Sequence, residues 1–273
     1  MTLSDIAEML TDAGIEGAVY EAQLLVCHFA GLSRAALLAE RRDRDYDIPA
    51  LTEAVYKRAS RYPLQYILGT WEFCGLPFAV SEACLIPRPD TEVIVEQAVK
   101  ALPDGGKLLD LCTGSGCIAA AVLHMTRKTT GYAVDLYPET AAAAEKNLAA
   151  LGLSARCTVI TGDAMTDLFD DGIMFDVITA NPPYVTADEM RALEPELAHE
   201  PAHALTDGGD GLSILEAIVK VYKNHLAPGG TMLLEHGWQQ GDAMEKIAEE
   251  NGMTYEKVFD YGGNIRGAKL RNP

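Results

Sequence analysis

From residue 107 to residue 236 the chain alternates short strand-like runs with longer helix-like ones, and this pattern constrains its fold more than any other feature. The runs 107–112, 131–136, 156–160, 175–180 and 230–236 have the length and apolar content of strands. Between them lie 118–125, 138–151 and 212–225, each periodic enough for a helix. Parallel strands need a crossover between them, so the pattern predicts a parallel sheet with helices on both faces. Segments 254–260 and 268–271 read as a closing pair of strands. The α/β domain so defined occupies residues 91–273.

Residues 1–68 predict a small helical domain. Ser4 is placed to cap a first helix with Ile6, Met9 and Leu10 on one face, closed by Gly14. A second helix spans 18–30 and stops before Gly31. Ser33 opens a third, and Pro49 suits the first turn of a fourth. Residues 69–90 form the link. The aromatic stretch 71–80, with Gly75 and Pro77, predicts a hairpin. Ile86-Pro87-Arg88-Pro89-Asp90 is stiff and extended, and Asp90 or Thr91 can cap a helix running to Leu102.

Charge narrows the function classes. The net charge is −18, with the excess carried mostly beyond residue 90. That disfavours non-specific nucleic-acid binding, which depends on neutralising phosphates. One basic cluster, Arg41, Arg42, Arg44, Lys57, Arg58 and Arg61, reads either as a docking patch or, more simply, as a solvated helix face. No apolar run approaches the roughly 20 residues that span a bilayer, and the six cysteines lack a framework spacing. A cytoplasmic, monomeric protein with reduced thiols is expected.

Two turns carry the chemistry. The first strand runs into Leu109-Asp110-Leu111-Cys112-Thr113-Gly114-Ser115-Gly116, a glycine turn at the sheet's carboxyl edge, where open α/β sheets bind nucleotides. Asp135 ends the second strand, placed to accept ribose hydroxyls, and Asp163 follows the third. A dinucleotide site would call for G-x-G-x-x-G. The acidic start before the glycines instead fits S-adenosylmethionine, whose charged groups are an ammonium and a sulfonium.

The second turn is Asn181-Pro182-Pro183-Tyr184, directly after an apolar strand. Two prolines remove two backbone donors, and Asn181 is pushed into an extended conformation. Carbonyl oxygens are thereby left without local partners. The Asn181 side-chain oxygen and the Pro182 carbonyl can accept both hydrogens of a planar –NH2, and Tyr184 can offer a flat face for stacking. The simpler alternative is a rigid loop after a buried strand.

With these segments, the chain resembles the glutamine N5-methyltransferases that modify peptide chain release factors (the HemK/PrmC type). The resemblance rests on 61–69, 85–92, 110–116, 181–184, Glu200-Pro201 with Ala204-Leu205, Asp210-Gly211-Leu212 and Leu234-Glu235-His236-Gly237. It implies a seven-stranded Rossmann-like S-adenosylmethionine-dependent methyltransferase domain behind a helical domain that recognises the release factor. Cofactor contacts then fall on Cys112, Thr113, Gly114, Ser115, Gly116, Asp135, Asp163, Ala164 and Asn181. Asn181, Pro182 and Tyr184 are implied as catalytic, with Pro183 beside them against the substrate; Arg88 and Glu92 read as contacts to the substrate or cofactor pocket, or as partners of each other.

The sequence departs from the family twice. Cys112 stands where glycine is usual, and Ala164 stands where a larger side chain often covers the adenine. The expected reaction is methyl transfer to a glutamine side-chain nitrogen. The alternative is an adenine-N6 methyltransferase of nucleic acid. His199 and His203 are four residues apart, but Pro201 breaks the helix that a metal pair would use, so no metal is expected. The 207–211 run is read as a turn capping the next helix rather than a calcium loop.

Overall fold

The computed structural model describes residues 1–40 and 44–273. Arg41 and Arg42, part of the basic cluster, lie outside the described residues. Two compact units are present: residues 1–70 with 194–199, and residues 71–193 with 200–273.

The first unit packs five helices: α1 (Leu3–Asp12), α2 (Ala18–Ala30), α3 (Arg34–Ala39), α4 (Pro49–Ala59) and α5 (Leu64–Leu68). α1 starts one turn-position earlier than Ser4 suggests. Thr2 and Asp5 form a reciprocal capping box, with Asp5 taking the place of the usual Glu or Gln. The remaining punctuation matches expectation: Gly31 closes α2 in the left-handed region, Ser33 caps α3, and Pro49 opens α4. Among the described residues, the arginines of the basic cluster are not a free patch. Arg58 is 5% exposed and binds Glu21 at 2.5 Å and Glu196 at 2.9 Å, while Arg61 shares Glu196 at 2.8 Å. Arg44 pairs with Glu40, four residues earlier in the chain. These guanidinium groups are spent inside the unit.

The second unit opens with a hairpin, β1 (Thr70–Phe73) and β2 (Leu76–Ala79). Cys74 (φ +50°) and Gly75 (φ +73°) both sit in the left-handed region, as a two-residue hairpin turn requires. Helix α6 (Glu92–Ala101) follows a short 3-10 turn. Thr91 precedes it without capping it, because its hydroxyl is used elsewhere. The alternating region then supplies β3 (Lys107–Leu111), α7 (Cys117–Met125), β4 (Thr130–Asp135), α8 (Pro138–Ala150), β5 (Cys157–Thr161), β6 (Phe175–Ala180), α9 (Ser213–Tyr222), β7 (Leu226–Glu235), α10 (Gly241–Glu250), β8 (Thr254–Phe259) and β9 (Ile265–Arg271). β7 begins at Leu226, ahead of the 230 start expected from Pro228-Gly229-Gly230, because the strand absorbs those residues through a register shift against β6. α10 has no counterpart in the sequence reading.

The seven strands order as β5-β4-β3-β6-β7-β9-β8, parallel except for the last hairpin. Side chains of α6, α7 and α8 fill one face together with Phe73 and Phe78 of the hairpin. Those of α9 and α10 fill the other. The expected layered α/β methyltransferase fold, with its helical domain and hairpin, is therefore present.

Candidate active site

The sheet order places the two chemical turns side by side. The chain winds outward through β3, β4 and β5, then returns to β6 on the other side of β3, so the topological switch lies between β3 and β6. Leu111 pairs with Ala180 at the end of that ladder, so Cys112 and Asn181 leave the sheet as neighbours. A cavity of about 350 Å³ opens there, within the size range of small-ligand sites. It is lined by parts of both turns, by Asp135 and Asp163, and by the 84–88 segment.

Beneath the glycine turn lies Asp110. It is fully buried, accepting from the Thr113 hydroxyl at 2.5 Å, the Thr179 hydroxyl at 2.7 Å and the Ala119 N–H at 3.3 Å. Burial pushes its carboxyl up to about 6, against the pull of those hydrogen bonds. Asp110 is not part of the cavity wall. Its role is to hold the turn's shape, and it does not offer its charge to the ligand's cationic groups as the acidic start of the motif suggested.

Within the turn, Cys112 has φ +53°, Gly114 +58° and Gly116 +77°. Gly116 packs on α8: an added Cβ would meet Ala144 Cβ at 3.1 Å. A Cβ on Gly114 would meet nothing within 4 Å. Cys112 thus holds a conformation that costs a side-chain-bearing residue roughly 1–2 kcal/mol. Cys112→Gly is expected to remove that strain and to stabilise the protein by about 0.5–1 kcal/mol after the greater chain entropy of glycine is subtracted. Chemical denaturation of the pair measures this; an unchanged or lower midpoint would show the turn is unstrained.

The residues around the cavity bear on S-adenosylmethionine through their own atoms. Ser115 lines the cavity, and its buried Oγ takes no hydrogen bond of ordinary geometry among the described residues, with the Cys117 thiol as its near neighbour. Asp135 is 8% exposed and lines the cavity. It accepts from the Gly114 N–H at 2.9 Å and the Tyr137 N–H at 3.2 Å. Burial raises its carboxyl above the usual range, partly offset by those two donors and by nearby His203. Asp163 Oδ1 takes the Met165 N–H at 2.8 Å, and Ala164 is buried beside it. Leu136, 51% exposed, adds an apolar wall that the sequence reading did not single out. Carboxylates and apolar walls suit a nucleoside with hydroxyls and cationic groups, and the fit is good.

The 181–184 turn is clamped from several sides. Asn181 Nδ2 donates to Thr91 Oγ1 at 3.4 Å, which leaves Oδ1 for another partner. Among the described residues, no backbone N–H is directed at the Pro182 carbonyl. Asn181 and Pro183 line the cavity, whereas Pro182 is buried behind it. Tyr184 does not present its ring to the cavity as expected for stacking. Its hydroxyl donates to Glu235 at 3.0 Å, which turns the side chain into the protein. Burial, then the Glu235 charge, push that hydroxyl well above its ordinary range, so it stays a donor. Gln240 completes the clamp: its Nε2 donates to the carbonyls of Tyr184 and Asp210, each at 3.1 Å, and its Oε1 accepts from Gly237 N–H at 2.8 Å.

Arg88 lines the cavity with its guanidinium on Glu200, which also accepts from Ile86 N–H at 2.9 Å. Glu92 faces away from the cavity: its carboxylate accepts the Cys74 N–H at 2.8 Å, so a substrate contact from it is not supported. Arg88 and Glu92 do not pair with each other. His199 packs edge-on against Tyr62 in the first unit, and His203 stacks on Tyr137 in the second. Asp207 does cap the next helix, accepting from Ser213 N–H and hydroxyl. Gln240 and the buried Asn147, which ties Ala79 of the hairpin to the Ser115 carbonyl, escaped the sequence reading, and Thr91 was read only as a helix cap, because their partners are distant in the chain.

Comparison with known proteins agrees with this geometry. A family model described as the PrmC N-terminal domain matches residues 2–69, and one described as the methyltransferase small domain matches residues 89–226. The chain is 39% identical over 246 residues to the release factor glutamine methyltransferase of Geobacter sulfurreducens, covering 89% of this chain and 85% of that one. It is 36% identical over 270 residues to the protein of the same name from Moorella thermoacetica, covering 97% and 95%. Among solved structures, it is similar to the hMettl16 catalytic domain in complex with MAT2A 3'UTR hairpin 1. The TM-score there is 0.60 at 15% identity, covering 82% of this chain and 79% of that one, a likeness of fold.

Proposed function

The chain belongs to the release factor glutamine methyltransferase family, and on that premise we propose that its cavity performs methyl transfer to the side-chain amide nitrogen (N5) of a release-factor glutamine. The observation that carries this reading is the Asn181 amide at the cavity wall, which gives Nδ2 to Thr91 and leaves Oδ1 for another partner, next in sequence to a Pro182 carbonyl that takes no backbone N–H among the described residues. Two oxygen acceptors on a stiff turn match the two hydrogens of a carboxamide. The cofactor is S-adenosylmethionine, held by the 112–116 turn, Asp135 and the 163–164 corner.

When bound, S-adenosylmethionine supplies an electrophilic methyl group on a positively charged sulfur. The protein's part is alignment and electrostatics. An amide nitrogen is a poor nucleophile because its lone pair is delocalised into the carbonyl. Hydrogen bonds from both N–H groups to Asn181 Oδ1 and the Pro182 carbonyl orient it and favour the positive charge that grows as the N–C bond forms. The prolines hold those acceptors rigid, so little reorganisation is needed at the moment of reaction. The amide nitrogen's excess proton then leaves to water, so the site needs no strong base. Among the described residues, no helix is long and apolar enough to cross a membrane; the reaction is assigned to the cytoplasm, where release factors act.

The decisive experiment supplies labelled S-adenosylmethionine to the protein with a release factor, with its Gly-Gly-Gln→Gly-Gly-Ala variant, and with DNA. Label is expected on the first alone. Label on the variant or on DNA would overturn the assignment.

A further inference from the structure

Tyr137 and His203 both line the cavity, and their rings stack with centroids 3.7 Å apart and planes 31° from parallel. Neither ring meets another aromatic ring among the described residues, so the pair stands apart from the core cluster of Tyr132, Phe169, Phe175 and Tyr222. Each ring comes from a fixed backbone. Tyr137 precedes α8: its N–H donates to Asp135 at 3.2 Å, its carbonyl accepts the Ala141 N–H at 2.9 Å, and Pro138 follows at the helix start. His203 sits in the 200–207 segment, which is anchored on both sides of it. Before it, the buried Glu200 takes the Ile86 N–H and the Arg88 guanidinium. After it, the Leu205 carbonyl takes the Val185 N–H at 2.8 Å, and Asp207 accepts from the Gly209 and Gly211 N–H groups.

The two segments are thus rigid frames, and the ring pair joins them beside Asp135. Both residues are half-buried while lining the cavity, which puts them at its boundary with solvent. A ring-on-ring contact excludes water, yet its energy is modest and side chains at such a boundary turn quickly. It can open and shut without moving either backbone. We propose that Tyr137 and His203 form a clasp at the Asp135 end of the cavity, shutting it on bound S-adenosylmethionine and setting the rate at which the cofactor leaves. The inference rests on the reading above, in which this cavity holds that cofactor with its ribose at Asp135. The demethylated product, S-adenosylhomocysteine, carries the same nucleoside, so the clasp acts on it equally.

Displacement of labelled ligand, with Kd from calorimetry, tests the clasp on the full chain without release factor. Tyr137→Ala and His203→Ala are each expected to raise koff about tenfold for both ligands, with kon within about threefold of the parent. A clasp needs both halves, so the double variant is expected to match the single ones rather than multiply their effects. His203→Phe keeps a ring against Tyr137 and is expected to stay within about threefold of the parent. A pair that only braces the fold would lower the urea midpoint and leave koff at the parental value, which overturns the clasp. So would a loss of about a hundredfold in the double variant, the mark of two rings acting separately, or a His203→Phe no better than His203→Ala. Should an alanine variant fail to fold, His203→Asn, which stays polar but has no ring, decides with the same expectation. A parent that binds neither ligand sinks the reading of the cavity beneath; a parent that binds both, with koff unchanged in the variants, sinks the clasp alone.

Discussion

Asn181→Ala is expected to lower kcat for release-factor methylation by about a thousandfold, the scale of losing a preorganised hydrogen-bond partner at a charge-developing centre. The loss should sit in kcat more than in KM, because the interaction strengthens as the amide nitrogen gains positive charge. Cofactor Kd is expected to move by less than about tenfold, since the glycine turn, Asp135 and the 163–164 corner stay in place. Steady-state kinetics with an independent cofactor titration separates the two. Stability should change little, because the side chain makes one long hydrogen bond, at 3.4 Å, and deleting it leaves the Thr91 hydroxyl free to rotate. A variant that keeps turnover while losing cofactor would move Asn181 from the substrate side of the site to the cofactor side.

Gly211→Ala is expected to cost about 3 kcal/mol or more of stability and most of the turnover. Gly211 has φ +74°, and an added Cβ would lie 2.0 Å from the Tyr184 carbonyl oxygen, 2.6 Å from its carbon and 2.8 Å from Gln240 Nε2. Backbone cannot swing aside as a flexible side chain can, so either the 211 loop or the catalytic turn must move. Both movements break the Gln240 clamp on Tyr184 and Asp210. Gly208→Ala is the control: its φ is +80°, but an added Cβ meets nothing within 4 Å, so only the backbone strain of about 1–2 kcal/mol applies. Urea denaturation and kcat on both variants test the comparison. Equal effects at the two positions would mean that the close approach to Tyr184 is unimportant.

Much of the second unit was legible before folding because its signals are local. Strand and helix periods, glycines after β3 and the proline pair after β6 each act within a few residues of themselves. The departure at Cys112 was also readable, since restricted φ at a glycine position is a property of one residue, and it appears as a φ of +53°. Misreadings arose where a local signal had a distant competitor. Thr91 looked like a helix cap, but its hydroxyl serves Asn181, 90 residues away. Tyr184 looked like a stacking platform, but Glu235, 51 residues away, claims its hydroxyl. Arg58 and Arg61 read as solvent-facing, but Glu196, far along the chain, binds both, and Glu21 also binds Arg58. Glu92 was read with Arg88 as a pocket contact, but its carboxylate accepts the Cys74 N–H of the hairpin, 18 residues away.

By itself the order of residues determined the layered sheet and the two turns that carry chemistry, because periodicity, glycine and proline act through the backbone's own short-range sterics. It also determined which atoms are available: oxygens with no local donor at 181–182 and carboxylates at the ends of β4 and β5. Tertiary structure alone decided their direction. Placing β6 beside β3 made neighbours of turns some 70 residues apart, and burying Glu235, Thr91 and Gln240 around one of them left each polar atom few partners. Among side chains buried from water, that scarcity limits which way a hydroxyl or an amide can point, and no property of the linear chain encodes it.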